Sequence, residues 1–302
     1  VSLNIKKIGL LANLGKPGVH TVLHQAVEAI ISRGLEVYVD EQTVRSTGLQ
    51  VPADPGFSLE KPDCDMWLVF GGDGTMLNAA RHLLHSPHPV LGINLGRLGF
   101  LTSVNPDGLC EAMDMLLRGE FRIENRSMIR ASGPVISEHH PEGMIALNDL
   151  VLSRVDATRM IEIRVRVNGQ LLTDYRCDGL IVSSPTGSTA YSLAAGGPIV
   201  HPGAEVFTVT PICPHTLSNR SVILGLDSRI EVTSLSSTPP AMLTSDGQES
   251  CEMEPNRTIV ITRAENPLRL IQLKGHQYFN TLRQKLQWSG LHNDPGGAGE
   301  CQ

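Results

Sequence analysis

"MWLVFGGDGTMLNAARHLL", residues 66–84, sets the reading of the whole chain. Residues 66–70 are continuously apolar, too uniform to alternate, as in a strand covered on both faces. The spacing that follows predicts a helix over 75–84. Between the two stand Gly71, Gly72, Asp73, Gly74 and Thr75. A strand that ends in glycines before a helix leaves backbone N–H groups free at the helix start, where they can receive an anion. Glycine also lets phosphate oxygens approach without a Cβ in the way. Asp73 is the anomaly, because a carboxylate in a phosphate cradle repels the ligand unless it serves the reaction or a metal. It could orient or deprotonate an attacking hydroxyl, or help to hold Mg2+ beside phosphates. The alternative is an ordinary turn in which Asp73 caps the helix. No GxxxxGK[ST] occurs and the spacing is not GxGxxG, which excludes a P-loop and that dinucleotide fingerprint.

Outward from this stretch, "IKKIGLLA" (5–12), "LEVYVD" (35–40) and "PVLGIN" (89–94) read as strands. Helical spacing over 20–34 and 106–118 alternates with them, and 47–63 reads as loop. The expectation for residues 1–122 is a three-layer, Rossmann-like α/β domain with a mostly parallel sheet. After residue 120 the rhythm becomes short β segments broken by Asn, Gly and Pro. "IEIRVRVNG" alternates strictly and ends in a hairpin turn signal. Residues 123–275 therefore read as a second, β-rich, largely antiparallel domain. "HQYFNTLRQKLQWSG" (276–290) returns to helical spacing through Phe279, Leu282 and Leu286.

Composition agrees with two globular domains: 302 residues, 41% hydrophobic and 19% charged, with only 4% aromatic, so the cores are aliphatic. A net charge of -6 without a basic tail argues against a nucleic-acid partner. The six cysteines form no CxxC pair, which suggests free thiols rather than a zinc site or disulfide framework. No apolar run is long enough to cross a membrane, and a cytoplasmic protein is expected. No residue set has metal-ligand spacing; His82, His85 and His88 lack carboxylate companions and read as surface or cap positions.

Two more clusters carry polar chemistry. "DGLIVSSPTGSTAYSLAAGGPIVHP" (178–202) packs hydroxyls and free amides behind a strand, followed by Tyr191, a combination suited to ribose and phosphate oxygens with a wall for a base. A capped strand-to-helix connection is the other reading. In "ALNDLVLSR" (146–154), Asn148 and Asp149 interrupt an apolar strand, and such a pair must be partnered internally or face a ligand. Asp178, Asp246 and Gln248 are weaker candidates of the same kind, since DG is also a common turn signal.

With all three clusters in view, the chain resembles the NAD kinase family over about residues 5–288. Gly71-Gly72-Asp73-Gly74-Thr75 matches its glycine–aspartate motif, Asn148-Asp149 its Asn-Glu/Asp pair, and 178–198 its long dinucleotide-binding block. The resemblance implies transfer of the γ-phosphoryl of ATP, or of polyphosphate, to the 2'-hydroxyl of the adenosine ribose of NAD, giving NADP. Asp73 would activate that hydroxyl, and Gly71, Gly72, Gly74 and Thr75 would hold the donor phosphates with Mg2+ or another divalent metal. Asp73, Gly74, Asn148, Asp149, Arg176, Asp178, Thr186, Thr189, Ala190, Tyr191, Ser192, Asp246 and Gln248 would meet the dinucleotide. Arg176 resembles members that prefer NAD to NADH. The family fold adds a β-sandwich-like second domain, a C-terminal helix (276–302) packing back on the first domain, and a homodimer or homotetramer whose subunits share sites. Ser184 departs from the commoner threonine, and Ser221 follows Asn219-Arg220 where Arg-Pro is frequent. A lipid or sugar kinase of like architecture, or a non-catalytic NAD(H)-sensing module, are the rival readings.

Overall fold

The apolar runs of the first third become strands joined by helices: β1 (Lys7–Ala12), α1 (Val19–Ile31), β2 (Glu36–Tyr38), α2 (Glu41–Thr47), β3 (Met66–Gly71), α3 (Asp73–His82), β4 (Val90–Asn94), α4 (Leu109–Leu117) and β5 (Phe121–Arg126). They are seen in a computed structural model that describes residues 3–288 apart from 55, 98, 139, 157–158, 217 and 236–239. The β-rich part follows as β6 (Ile129–Ser132), α5 (Pro134–Ser137), β7 (Met144–Ala146), β8 (Asp149–Arg154), β9 (Ile161–Val167), β10 (Gln170–Cys177) and β11 (Gly179–Ser183). It continues through α6 (Tyr191–Ala194), β12 (Val206–Ile212), β13 (Val222–Gly225), β14 (Ile230–Ser234), β15 (Ala241–Ser245), β16 (Glu249–Met253) and β17 (Thr258–Arg263). The described chain closes with β18 (Leu268–Leu273) and α7 (Tyr278–Leu286).

Every residue of β3 is buried, as its unbroken apolar run requires. One face of its sheet is covered by α1 and α4, through residues such as Leu23, Ala26, Met113 and Leu116. The other face is covered by α3, through Met76, Leu77 and Ala80, with Met128, Ile145 and Leu147 of the β-rich part joining the same core. The helix that starts at Asp73 is thus packed between the two units. The strand order is β2-β1-β3-β4-β18-β5. β1 pairs in parallel with both β2 and β3, so successive connections diverge there. In such a sheet a crevice opens outside the carboxyl ends of the diverging strands. Gly71 ends β3 at that point.

The β-rich part is a sandwich of two antiparallel six-stranded sheets, β10-β9-β14-β17-β6-β7 and β13-β12-β11-β8-β15-β16. Its core interleaves alternate residues of both, among them Leu150, Leu152, Ile163, Val165, Val182 and Phe207. Along β9 the burial alternates as the sequence pattern predicts, and Asn168 and Gly169 take positive φ (51° and 81°) in the hairpin turn.

Some expectations shift. The helix expected over 75–84 begins at Asp73 and ends at His82. A helix over residues that the sequence reading leaves almost wholly unassigned, α2, is capped by the Asp40 carboxylate on the Thr43 N–H at 2.8 Å. β18 lies within 123–275 yet pairs between β4 and β5 of the first sheet, because apolar periodicity says nothing about which sheet a strand joins. At the end of α4, Leu117 is 45% exposed although its neighbours Met113 and Leu116 are buried. α7 ends at Leu286, and 289–302 lie outside the described residues. Among the described residues no helix is long and apolar enough to cross a membrane.

Candidate active site

The cap of α3 is Gly72, in extended conformation and without a side-chain cap bond, so Asp73 is the first helical residue and not the cap. Its carboxylate turns away from the helix. Oδ2 accepts the Phe100 N–H at 2.9 Å and Oδ1 the Leu101 N–H at 3.0 Å. This removes the capping-turn reading and leaves a carboxylate held rigidly by the loop after β4. The glycines divide by role. A Cβ on Gly72 or Gly74 would meet nothing within 4 Å, leaving their backbone open to a ligand, whereas one on Gly71 would fall 2.1 Å from Thr75 Oγ1. Gly99 is forced by close approach, since a Cβ there would lie 1.9 Å from Asp73 Oδ1.

The crevice beside this loop is an open cavity of ≈ 470 Å³ lined by Asn13, Gly74, Thr75, Asn78, Arg81 and Gln248 among others. The N-terminal end of α3 brings partial positive charge to it. Arg81, whose side chain is one-tenth exposed, lies 3.4 Å from Glu249 and donates to Gln248 Oε1 at 2.7 Å. Gln248 in turn donates to the Gly74 carbonyl at 2.9 Å. The Gln248 side chain is therefore spent on tying the β15–β16 turn to the glycine loop. The sequence reading passes over Asn13, Arg81, Phe100 and Leu101. Arg81 has the spacing of an ordinary surface position on a helix, and backbone amides leave no side-chain signal. Asn13 alone was findable, since it follows a strand that ends beside the divergence point.

Asp246 organises the polar pair. It sits in the β15–β16 turn with φ of 50°, followed by Gly247 at 65°. Its carboxylate accepts the N–H groups of Leu147, Asn148 and Asp149 at 2.9, 2.8 and 3.1 Å. The backbone of Asn148-Asp149 is thus satisfied internally. Asp149 is 5% exposed. Burial, and then the neighbouring Asp246 charge, push its carboxyl up to about 7. Burial raises Asp246 as well, against the lowering effect of three amides and Arg81.

The 178–198 block is built onto this pair. Ser184 donates its N–H to the Asn148 carbonyl at 2.9 Å and its hydroxyl to Leu147 O at 2.5 Å. A Cβ on Gly187 would lie 2.1 Å from Asn148 O, so the two segments meet backbone to backbone. Thr186 is 6% exposed and its Oγ1 is buried without a partner. Thr189 donates to Thr186 O at 3.3 Å, Ala190 is half-buried and Tyr191 is 48% exposed. Ser192 is fully buried and shares its hydroxyl with Thr210 at 3.1 Å. Asp178 lies at the opposite end of β8 and β11, 3.2 Å from Arg154, and the exposed Arg176 precedes it. Five residues of strand separate Arg154 from Asp149, roughly 16 Å. The structure therefore gathers Asp73–Thr75, Asn148-Asp149, 184–189 and Asp246–Gln248, and leaves Arg176 and Asp178 apart.

Among the described residues no group of three or more His, Cys, Asp or Glu could hold a metal ion. Each Asp73 oxygen accepts one amide and has lone-pair capacity left. Such a donor set suits Mg2+ carried by substrate phosphates, not a dedicated protein cage.

Comparison with known proteins finds relatives along most of the chain. The family model of the ATP-NAD kinase N-terminal domain matches residues 8–121, and that of the ATP-NAD kinase C-terminal domain matches 147–273. The chain is 38% identical over 291 residues to the NAD kinase of Citrifermentans bemidjiense, covering 94% of this chain and 99% of the relative. It is 40% identical over 290 residues to the NAD kinase of Moorella thermoacetica, covering 96% and 92%. A crystal structure of an NAD kinase from Archaeoglobus fulgidus in complex with ATP superposes with a TM-score of 0.72 at 27% identity, covering 94% and 100%. Yeast NADH kinase complexed with NADH shares the fold, with a TM-score of 0.83 at 22% identity, covering 97% and 90%.

Proposed function

The chain belongs to the ATP-NAD kinase family, and from that premise we propose how its own residues carry the reaction. Its activity is the ATP-dependent phosphorylation of NAD to NADP. The acceptor is the 2'-hydroxyl of the adenosine ribose, which attacks the γ-phosphorus of ATP while the bond to the bridging oxygen breaks and ADP leaves. Gly71, Gly72, Gly74 and Thr75 hold the donor phosphates at the α3 N-terminus. Asp73 receives the hydroxyl proton as the new bond forms. The observation that carries this reading is the pair of amide bonds from Phe100 and Leu101, which aim the Asp73 carboxylate away from its own helix. A carboxylate is a weak base for an alcohol, so its help comes late, and most of the acceleration is positioning and charge stabilisation. Of the loop residues, Asp73 is the carboxylate that would help to hold a Mg2+ ion brought in on the phosphates, and that ion would neutralise phosphate charge.

Asn148, Asp149, Thr186, Thr189, Ala190 and Tyr191 form the dinucleotide side in this reading, with the unpartnered Thr186 hydroxyl as a donor to ribose or base. Ser192, Asp246 and Gln248 act behind it, fixing the segments that touch ligand. Arg176 and Asp178 serve the site of a neighbouring copy in a homodimer or homotetramer, which their distance from Asp149 along β8 supports. A cytoplasmic location belongs to the same proposal.

The test is to incubate the protein with ATP–Mg2+ and NAD and detect NADP with an NADP-specific dehydrogenase. Absence of NADP with ATP, and with polyphosphate in its place, would sink the reading. A companion prediction comes from Gly99. Gly99→Ala must push Asp73 Oδ1 aside, so kcat should fall by ~10-fold or more while the KM for NAD stays within ~3-fold. Unchanged kcat in that variant would show that the carboxylate need not be held where it is.

A further inference from the structure

The loop that fixes Asp73 is itself braced by the last helix. Phe100, whose N–H holds Asp73 Oδ2, presents its ring to α7. The Tyr278 ring centroid is 6.3 Å from that of Phe100, and the Lys285 ammonium lies 6.0 Å over the Phe100 face. On its other side Tyr278 meets His201 edge-on at 5.3 Å, and His201 also contacts Phe279 at 6.0 Å. His201 lies three residues beyond the 178–198 block. Tyr278 therefore stands between the loop that orients Asp73 and the segment that closes the dinucleotide block.

The hydroxyl of Tyr278 does not account for this placement. Its Oη is buried without a hydrogen-bond partner. The Arg126 charge nearby is also incompletely satisfied: its side chain is 4% exposed, Nη2 donates to Glu124 at 2.8 Å, and Nε has no partner. Leaving a buried hydroxyl unsatisfied is unfavourable. The ring, not the hydroxyl, is what Tyr278 contributes against Phe100, beside the Lys285 ammonium.

We propose that Tyr278 is a positioning residue for phosphoryl transfer, its ring bracing Phe100 so that the Phe100 and Leu101 amides keep the Asp73 carboxylate on the acceptor hydroxyl. This rests on the reading of Asp73 given above. Steady-state kinetics with ATP–Mg2+ and NAD on Tyr278→Ala, Tyr278→Phe and Asp73→Asn test it together. Tyr278→Ala should lose ~10-fold or more in kcat with the KM values for NAD and ATP within ~3-fold. Tyr278→Phe, which keeps the ring and removes an unsatisfied hydroxyl, should retain most of the activity and an equal or higher Tm. The proposal is overturned if Tyr278→Ala leaves kcat unchanged, if only KM moves, or if Tyr278→Phe falls as far as the alanine variant. Should Tyr278→Ala not yield folded protein, Tyr278→Leu, which keeps apolar volume without the ring plane, carries the same comparison. Asp73→Asn separates the two failures. A small loss there defeats the reading of Asp73, whereas a large loss with active Tyr278→Ala defeats the brace alone.

Discussion

Asp73→Asn is expected to lower kcat by ~10²-fold or more while the KM for NAD changes little, a loss of about 2.7 kcal/mol of transition-state stabilisation. Two effects of the substitution act in the same direction. Asn cannot accept the hydroxyl proton, and the geometry around it turns unfavourable. Both Asp73 oxygens accept backbone N–H groups, at 2.9 Å from Phe100 and 3.0 Å from Leu101. An asparagine can accept only one of these and must point its NH2 at the other, donor against donor. The variant therefore loses both proton acceptance and orientation, and the magnitude alone does not divide them. Gly99→Ala does, because it leaves the carboxylate intact and disturbs only its placement. If Asp73→Asn reduced kcat/KM by less than ~5-fold, proton acceptance would be abandoned and the site would be left with positioning and charge stabilisation alone. Retained NAD affinity in both variants is part of the expectation, since the reading proposed above gives the dinucleotide side to Asn148, Asp149 and the 184–189 segment.

How much of this was legible depends on what kind of contact makes the site. The unbroken apolar run 66–70 announced a doubly covered strand, and the glycines after it announced a turn into a helix with open backbone; both follow from backbone physics that a sequence expresses directly. The alternation in β9 is equally direct, because a two-residue period has one structural meaning. Resemblance supplied the acceptor. Neither route could reach the Phe100 and Leu101 amides, since any residue there carries the same N–H. Nor could they assign β18 to the first sheet, because strand partners are chosen across more than a hundred residues by packing. Gln248 and Ser192 show a subtler limit. Residue type placed them beside ligand, but in the fold their polar atoms are engaged by the Gly74 carbonyl and by Thr210. The turn signal in "DGQ" was read correctly as a turn, and its function as the support of Asn148-Asp149 appears only when 147–149 is brought beside it.

That support gives the ligand-free protein a pH dependence of definite sign. Asp149 titrates near 7 when folded, against the ordinary carboxyl value near 4 when unfolded. Between those values the folded state binds a proton that the unfolded chain has released, so stability falls as pH rises through the window and the penalty is complete above about 7. The neighbouring Asp246, also raised by burial, acts in the same sense. At roughly 1.4 kcal/mol per pH unit, the Asp149 shift alone carries a penalty of a few kcal/mol at pH 8. His88 and His276 are held below their usual value by burial and act in the opposite sense, losing stability as pH falls. The informative quantity is therefore the difference between a variant and its parent. Asp149→Asn keeps the shape and removes the titration, so its Tm should exceed that of the parent at pH 8, and the excess should shrink steadily towards pH 5. An excess that is constant with pH, or a variant less stable than the parent at pH 8, would mean that Asp149 is not the buried carboxyl the geometry describes. Activity should part company with stability in the same variant. Asp149 can offer the dinucleotide a carboxylate above pH 7 and a hydroxyl donor below it, whereas asparagine presents both an acceptor and an NH2 at every pH, so NAD affinity should lose whatever dependence it has in that window.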